Sequence, residues 1–259
     1  MFYHLYIKSH KSVTTMPPLK FTLLVMTLNE IEGISTVMPL IDRSWVDQIV
    51  IVDGGSTDGT VEWAKKNGYE TYVQKQKGFR HAYEEVWPLV RGDIVITFSP
   101  DGNSIPELIP DLTKEMRAGY DMVIVSRYLN GAKSDDDDIV TGFGNWLFTK
   151  TVNILHGGSY TDVMVIYRAY RKSLATDLDL IGDSAFGLPE KLFSTKISWE
   201  PLLSARAAKA KLKVGEIPGD EPPRIGGVRK LKIIRWGAAY YFQFIRELWF
   251  WKPHTVSGN

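Results

Sequence analysis

The 259-residue chain contains no cysteine, which excludes disulfide bonds, thiolate metal sites and a cysteine nucleophile. Its net charge is only +1, so no global charge favours a nucleic-acid partner and any basic function must be local. Long apolar runs are also missing. No segment reaches about 18 uninterrupted apolar residues, so the sequence predicts no transmembrane span. Apolar residues form 44% of the chain, which is enough for the core of one large domain or of one domain with an appendage.

Several common catalytic patterns are absent as well. The chain has no Gly-x-x-x-x-Gly-Lys-Ser/Thr loop and no Gly-x-Gly-x-x-Gly after a strand, which argues against P-loop ATPases and ordinary dinucleotide dehydrogenases. It also has no His-x-x-x-His or Gly-x-Ser-x-Gly pattern, so neither a zinc protease nor a serine hydrolase is supported.

What the sequence does have is a regular alternation of apolar runs and helical spacing. The apolar runs predict strands at 21–26, 49–52, 69–73, 94–98 and 122–125. The segments between them predict helices, including 58–67, 78–90 and 106–117. This alternation indicates an α/β domain with a mostly parallel sheet and helices on both faces. Farther along, the pattern predicts helices at 144–155 and 199–210, a strand at 163–167 and another from 212.

Polar side chains follow four of the predicted strands. They are Asn29 and Glu30, Asp53, Asp101 and Asn103, and Arg127. Parallel strands bring their carboxyl ends to one edge of a sheet, so we expect a polar crevice there, where a nucleotide would bind.

The stretch 53–58, Asp-Gly-Gly-Ser-Thr-Asp, is the most informative of these strand ends. Its two glycines allow a sharp turn and a close approach of the backbone to a ligand. An ordinary turn between strand and helix with an aspartate cap is the alternative interpretation.

Asp101 and Asn103 place two hard oxygen donors around Gly102, which suits Mg²⁺ or Mn²⁺ shared with phosphate oxygens. A simple Asp-Gly-Asn turn is the alternative. Lys77, just before a predicted helix, is a candidate phosphate contact or a solvated surface lysine.

Taken together, residues 20–231 resemble the family 2 glycosyltransferases with the GT-A (Rossmann-like) fold. Within that family they are most similar to dolichol-phosphate mannose synthases and bacterial polyprenyl-phosphate sugar transferases. The resemblance is carried by Leu28-Asn29-Glu30, Val52–Asp58, Asp101-Gly102-Asn103, Ser126-Arg127-Tyr128, Tyr167–Arg171 and Arg224–Lys230. The chain departs from the family pattern at several positions: Gly54 and Ser99 each replace an aspartate, Gln76 replaces the first glycine of Gly-Lys-Gly, Asn103 stands in for a glutamine, and Arg229 replaces a serine.

The resemblance implies a role for each matching residue. It implies that the nucleotide-sugar donor, a UDP- or GDP-sugar, is bound by Leu28, Asn29, Glu30, Asp53, Gly55, Ser56, Asp58, Lys77, Ser99 and Asp101. It implies that phosphate groups or the acceptor are bound by Arg127, Tyr128, Arg168, Arg224, Arg229 and Lys230. It further implies a Mg²⁺ or Mn²⁺ ion on Asp101 and Asn103, and catalytic roles for Asp101, Arg127, Asp162 and Glu200.

Three functions remain open. The first is metal-dependent, inverting transfer of a sugar to polyprenyl phosphate, whose oxygen is already anionic and needs no general base. The second is transfer to a glycan hydroxyl of a lipopolysaccharide, capsule or other cell-surface polysaccharide, which needs a carboxylate base such as Asp162 or Glu200. The third is binding of a nucleotide sugar with little turnover. The basic residues of 224–230 favour transfer to polyprenyl phosphate, and the acidic run 135–138 favours transfer to a glycan hydroxyl. Ser99, which replaces an aspartate of the metal motif, favours binding with little turnover.

The two ends of the chain are expected to lie outside this domain. Residues 1–20 are expected to form a loosely ordered leader, and residues 232–259 an amphipathic helix and tail. Aromatic and basic side chains in 232–252 suit a helix lying in lipid headgroups, which would place the protein on the cytoplasmic face of a membrane as a peripheral protein. A helix packed on the domain core or in a dimer interface is the alternative, so an oligomer remains possible.

Overall fold

The computed structural model describes residues 17–226 and 233–254, with only the backbone of residue 233. Within them, seven strands form one sheet in the order β3-β2-β1-β4-β6-β5-β7. The strands are β1 (Phe21–Thr27), β2 (Gln48–Asp53), β3 (Glu70–Val73), β4 (Ile94–Phe98), β5 (Met122–Ser126), β6 (Arg168–Arg171) and β7 (Val214–Pro218). The leader predicted at 1–20 falls mostly outside the described residues.

The sheet is mostly parallel, as predicted. β1 pairs in parallel with β2 and β4, β2 with β3, and β5 with β7. β6 alone is inserted antiparallel between β4 and β5. This arrangement brings the carboxyl ends of β1, β2, β4 and β5 to the same edge.

The helices are α1 (Ile31–Val37), α2 (Thr60–Lys66), α3 (Phe79–Val86), α4 (Ile109–Arg117), α5 (Ile139–His156), α6 (Leu174–Asp177), α7 (Gly187–Phe193), α8 (Glu200–Lys209) and α9 (Ile233–Phe250). α5 begins five residues before the predicted start. Its first turn is fixed by a capping box in which the carboxylate of Asp138 accepts from Thr141 N and the hydroxyl of Thr141 accepts from Asp138 N.

The strand predicted at 163–167 is wrong, because β6 begins only at Arg168. Two local interactions hold the preceding residues in a loop. The carboxylate of Asp162 accepts from the backbone N–H groups of Met164 and Val165, and the guanidinium of Arg168 donates to the carbonyls of Val163 and Val165. Backbone groups with these side-chain partners do not join the ladder of a sheet.

The helices cover both faces of the sheet, so strand side chains are buried on both sides. Along β1, Leu24 and Met26 face one apolar cluster, while Leu23 and Val25 face another. The first cluster is closed by α3, α5, α6, α8 and α9, and the second by α1, α2 and α4. Every residue of β1 is buried, as expected for an interior strand of a sheet covered on both faces.

Helix α9 packs on the domain against α5, α7 and α8. Its inward residues Tyr240 and Phe244 are buried, and Glu247 forms an ion pair with Arg206 of α8 in which neither side chain is more than 1% exposed. Its outer face carries exposed Ile234 and Trp249. Across residues 17–226 and 233–254, no helix has the length and apolarity needed to cross a membrane.

Candidate active site

A cavity of about 450 Å³ opens at the carboxyl edge of the sheet. Its polar wall contains Glu30, Asp101 and Arg224, which follow β1, β4 and β7 in the chain. The lining also includes the apolar residues 164–166 and Trp236 of α9. The cavity lies at the ends of β1 and β4, as predicted from the polar strand ends.

Asp53 organises the loop that follows β2. Its fully buried carboxylate accepts hydrogen bonds from the hydroxyl of Thr27, the backbone of Gly55, and both the backbone and the hydroxyl of Ser56. Gly55 has φ +94°, a conformation that favours glycine. Because these donors occupy both carboxylate oxygens, Asp53 fixes the loop shape, and a direct contact with the donor stays a prediction.

Asn29, Ser56 and Asp58 join this loop to the one after β1. Asn29 N donates to the hydroxyl of Ser56 at 2.7 Å, and Asn29 Oδ1 accepts from Thr57 N at 2.8 Å. The carboxylate of Asp58 accepts from the backbone N–H of Ile31 at 3.0 Å. These side chains hold the two loops together and are not part of the cavity surface. The cavity surface instead includes Leu28, Glu30, Gly54 and Ser99, with Gly78 in place of the predicted Lys77.

Asp101 lies at the end of β4 and is almost buried. Its Oδ1 accepts from Asn103 N at 3.1 Å, and its Oδ2 lies 2.7 Å from Nη1 of Arg224. The backbone of residues 219–226, hereafter the 219–226 segment, is tied to the same loop: Ile225 N donates to Asp101 O at 2.6 Å, and Asn103 Nδ2 donates to Pro222 O at 2.7 Å. The segment thus covers the predicted metal ligand.

The donors around Asp101 fit Mg²⁺ or Mn²⁺ shared with a nucleotide. Among the described residues, no group of three or more His, Asp or Glu side chains is arranged to hold a metal by itself. Mg²⁺ is commonly held by one or two carboxylates together with substrate phosphates. Asp101 and the amide of Asn103 are hard oxygen donors of that kind, next to a cavity large enough for a diphosphate. Their metal role stays a prediction.

Arg127 lines the cavity and forms a bidentate ion pair with the fully buried Asp162. Nε and Nη2 of Arg127 lie 2.6 and 3.0 Å from the two oxygens of Asp162, and Nη1 lies 3.2 Å from Glu221. Burial alone would raise the pKa of Asp162, but the charge and hydrogen bonds of Arg127 outweigh it and lower that pKa. Asp162 is therefore a paired carboxylate with little basicity, which disfavours it as a general base.

Arg168 and Tyr128 do not line the cavity, although both were predicted to bind phosphate or acceptor. Arg168 is fully buried, and its Nη1 donates to Glu200 O at 3.1 Å and to the hydroxyl of Ser204 at 2.8 Å. It therefore braces the 163–168 loop against α8, a role that the motif match did not reveal. The hydroxyl of Tyr128 donates to Asp137 and accepts from Asn145. Arg229 and Lys230 lie outside the described residues.

Glu200 does reach the cavity, at the start of α8. It is 2% exposed, and its Oε1 accepts from the hydroxyl of Tyr83, while no hydrogen-bond donor to Oε2 is present in the described part of the chain. The nearby residues Lys196, Ser198 and Trp236 also line this end of the cavity. No sequence pattern marked them, because they come from separate elements that meet only in the folded chain.

The family model described as glycosyl transferase family 2 matches residues 23–178. The undecaprenyl-phosphate mannosyltransferase of Micrococcus luteus is 28% identical over 236 residues, which cover 86% of this chain and 96% of the relative. The polyprenol monophosphomannose synthase of Mycolicibacterium smegmatis is 27% identical over 254 residues, covering 86% and 89%. In fold, the chain resembles a glucosyl-3-phosphoglycerate synthase from Mycobacterium tuberculosis in complex with Mn²⁺, UDP and glucosyl-3-phosphoglycerate, with a TM-score of 0.65, 18% identity and coverage of 93% and 83%.

Proposed function

The chain belongs to glycosyl transferase family 2 and is a glycosyltransferase, and we propose that it transfers a sugar from a nucleoside-diphosphate donor to a polyprenyl phosphate. The observation that carries this proposal is the near-complete coverage of two relatives whose names specify polyprenyl-phosphate or polyprenol acceptors. The resemblance seen in the sequence is thereby confirmed for the family and for the GT-A fold. The acceptor, the metal dependence and inversion at the anomeric carbon are parts of the proposal.

The cavity supports both halves of this reaction. A divalent cation on Asp101 would neutralise charge that develops on the diphosphate leaving group. The basic side chain of Arg224 lies at the same wall, within reach of the same charge. An acceptor phosphate is already anionic at neutral pH, so its attack needs correct positioning and no proton transfer. A site in which Asp162 is locked by Arg127 is compatible with such a base-free reaction.

The direct test is a transfer assay with a panel of UDP- and GDP-sugars, Mg²⁺ or Mn²⁺, and a short polyprenyl phosphate. We expect a glycosylated lipid phosphate as product and, for an inverting enzyme, the opposite anomeric configuration to that of the donor. Nucleotide release without lipid product would contradict the proposed acceptor, and no turnover with any donor would favour a nucleotide-sugar-binding protein.

Transfer to a glycan hydroxyl is a second candidate, favoured by two observations. Asp136 of the acidic run lines the cavity, 4.0 Å from Nη2 of Arg224, and adds negative charge to a wall that an anionic acceptor would approach. Glu200 offers a buried carboxylate oxygen at the cavity wall. Glu200→Gln separates the two reactions. It should abolish proton transfer from a hydroxyl acceptor, whereas transfer to a lipid phosphate should keep a rate within a few-fold of the parent enzyme.

A polyprenyl acceptor resides in a bilayer, and α5 offers an apolar face beside the cavity mouth. Ile139, Val140, Phe143 and Trp146 are all more than half exposed, directly after the acidic run that reaches the cavity. Exposed aromatic and aliphatic side chains on one helix are typical of helices that lie in the membrane interface. We include in the proposal that this face and the outer face of α9 dock on the cytoplasmic surface of a membrane.

Phe143→Ser together with Trp146→Ser is expected to weaken liposome binding about tenfold or more, because two large apolar side chains no longer enter the interface. Sedimentation with anionic liposomes measures the effect. The matched control is Leu40→Ser with Leu89→Ser, which removes two exposed apolar side chains located away from α5 and α9. Equal binding of both double variants would contradict docking through α5.

A further inference from the structure

We propose that Arg224 and a divalent cation compete for the carboxylate of Asp101, so that the guanidinium must leave Asp101 and the 219–226 segment loosens when the metal binds. The inference rests on the proposed function in one respect, the use of a divalent cation at Asp101. It concerns how the chain controls access to that carboxylate, which neither the family nor the relatives specify.

The guanidinium of Arg224 is placed among three carboxylates. Nη1 lies 2.7 Å from Oδ2 of Asp101 and 3.8 Å from Oε1 of Glu30, and Nη2 lies 4.0 Å from Oδ2 of Asp136. A cluster of acidic groups repels itself unless a cation lies between them. Arg224 thus supplies positive charge to this wall of the cavity and pairs with the carboxylate on which a metal ion would bind.

The two cations exclude each other on physical grounds. A Mg²⁺ or Mn²⁺ ion binds a carboxylate oxygen at about 2.0–2.2 Å and demands defined directions for its ligands. Both oxygens of Asp101 already have partners, since Oδ2 faces Nη1 of Arg224 and Oδ1 accepts from Asn103 N. A dication on Oδ2 would also lie close enough to Arg224 for strong repulsion in a nearly buried site. Metal binding therefore requires that Arg224 leave Asp101.

The backbone beside Arg224 is also fastened to the metal loop. Ile225 N donates to Asp101 O, and Asn103 Nδ2 donates to Pro222 O. Gly102, with φ +94°, lies so close to Ile225 that a Cβ atom there would come within 2.7 Å of its Cγ1. The departure of the guanidinium removes the charged contact of this set, so that only the other three contacts hold the segment to the loop and the segment loosens.

A nucleoside diphosphate would ease this exchange, since it offers the displaced guanidinium a new anionic partner. Without nucleotide, metal binding must break the pair between Arg224 and Asp101 with no compensation. With nucleotide, both cations find oxygen ligands at once. The arrangement predicts that metal and nucleotide bind cooperatively and that Arg224 is the source of much of the coupling.

Mn²⁺ binding to the full-length protein, followed by the electron paramagnetic resonance of free Mn²⁺, tests the competition without any substrate. We expect Arg224→Gln and Arg224→Ala to bind Mn²⁺ about fivefold or more tightly than the parent protein in the absence of nucleotide. Addition of UDP or GDP should then strengthen Mn²⁺ binding less in these variants than in the parent. Arg224→Lys keeps the charge and should stay closer to the parent.

Two controls separate competition from a general charge effect. Arg91→Gln removes one positive charge from an exposed ion pair with Glu70, before β4, and should leave Mn²⁺ affinity unchanged. Asp101→Asn should abolish the binding. Unchanged or weaker Mn²⁺ binding by the Arg224 variants, or no Mn²⁺ binding by any form with or without nucleotide, would overturn the proposal.

Hydrogen exchange of the parent protein provides a test that needs no variant. Mn²⁺ with UDP or GDP should speed exchange of the Ile225 amide, because its bond to Asp101 O opens more often once the segment has lost the Arg224–Asp101 pair. Exchange that is slowed or unchanged at this amide in the saturated complex would contradict the loosening. Both readouts are independent of turnover, so an enzyme that fails every transfer assay but shows tighter Mn²⁺ binding after loss of Arg224 would refute the proposed function alone.

Discussion

Replacing Asp101 by Asn is expected to lower the rate of sugar transfer at least about 100-fold, the largest effect on catalysis that we predict. The substitution keeps the shape of the side chain and removes the charge that a divalent cation needs. Initial rates, measured at the donor and Mn²⁺ concentrations that saturate the parent enzyme, show the effect. The loss should appear mainly in kcat, because the charge of the leaving group develops in the transition state.

Asp93→Asn is the matched control for that experiment. Asp93 directly precedes β4, whereas Asp101 follows its other end, and the exposed Asp93 carboxylate accepts from Lys20 N at 3.0 Å. The control removes the same charge at the opposite end of the same strand, and its rate should stay close to that of the parent enzyme. An Asp101→Asn variant that is folded and equally active would exclude Asp101 as an essential metal ligand.

Replacing Glu247 by Ala is expected to destabilise the protein by about 3–5 kcal/mol, the largest effect on stability that we predict. Glu247 and Arg206 are almost completely buried and pair at 2.8 Å between α9 and α8. The substitution leaves a buried guanidinium without its counter-charge, although Arg206 still donates to the carbonyls of Leu178 and Asp179. Urea unfolding followed by tryptophan fluorescence measures the change in free energy of unfolding.

Two comparisons show whether the burial of the pair is responsible. Glu70→Ala breaks the exposed pair with Arg91 and should cost less than about 1 kcal/mol. The double variant Arg206→Met with Glu247→Leu replaces both charges by apolar groups and should recover much of the stability. A cost for Glu247→Ala as small as that for Glu70→Ala would mean that α9 contributes little to the folded domain. With the expected cost, deleting α9 would disrupt the domain and could not serve as a clean test of membrane binding.

The polar strand ends could be predicted because strand direction in an alternating α/β chain follows from local patterns. β1, β2 and β4 are short apolar runs that end in polar residues, and their parallel pairing brings Glu30 and Asp101 to one cavity. The roles of individual side chains were harder to predict. Asp53 and Arg168 both match motif positions. The carboxylate of Asp53, however, accepts hydrogen bonds from its own loop, and the side chain of Arg168 is buried beside α8.

The sequence by itself determined the fold class, the family and the place of the cavity, because each depends on periodicity and short motifs within one stretch of chain. Only the tertiary structure decided which charges are paired. Arg127 meets Asp162 across 35 residues, and Arg224 meets Asp101 across an even longer separation. A carboxylate acts as a base, a metal ligand or a brace according to its partners and its burial. The partners and the burial of a side chain depend on contacts between distant segments, which no local pattern encodes.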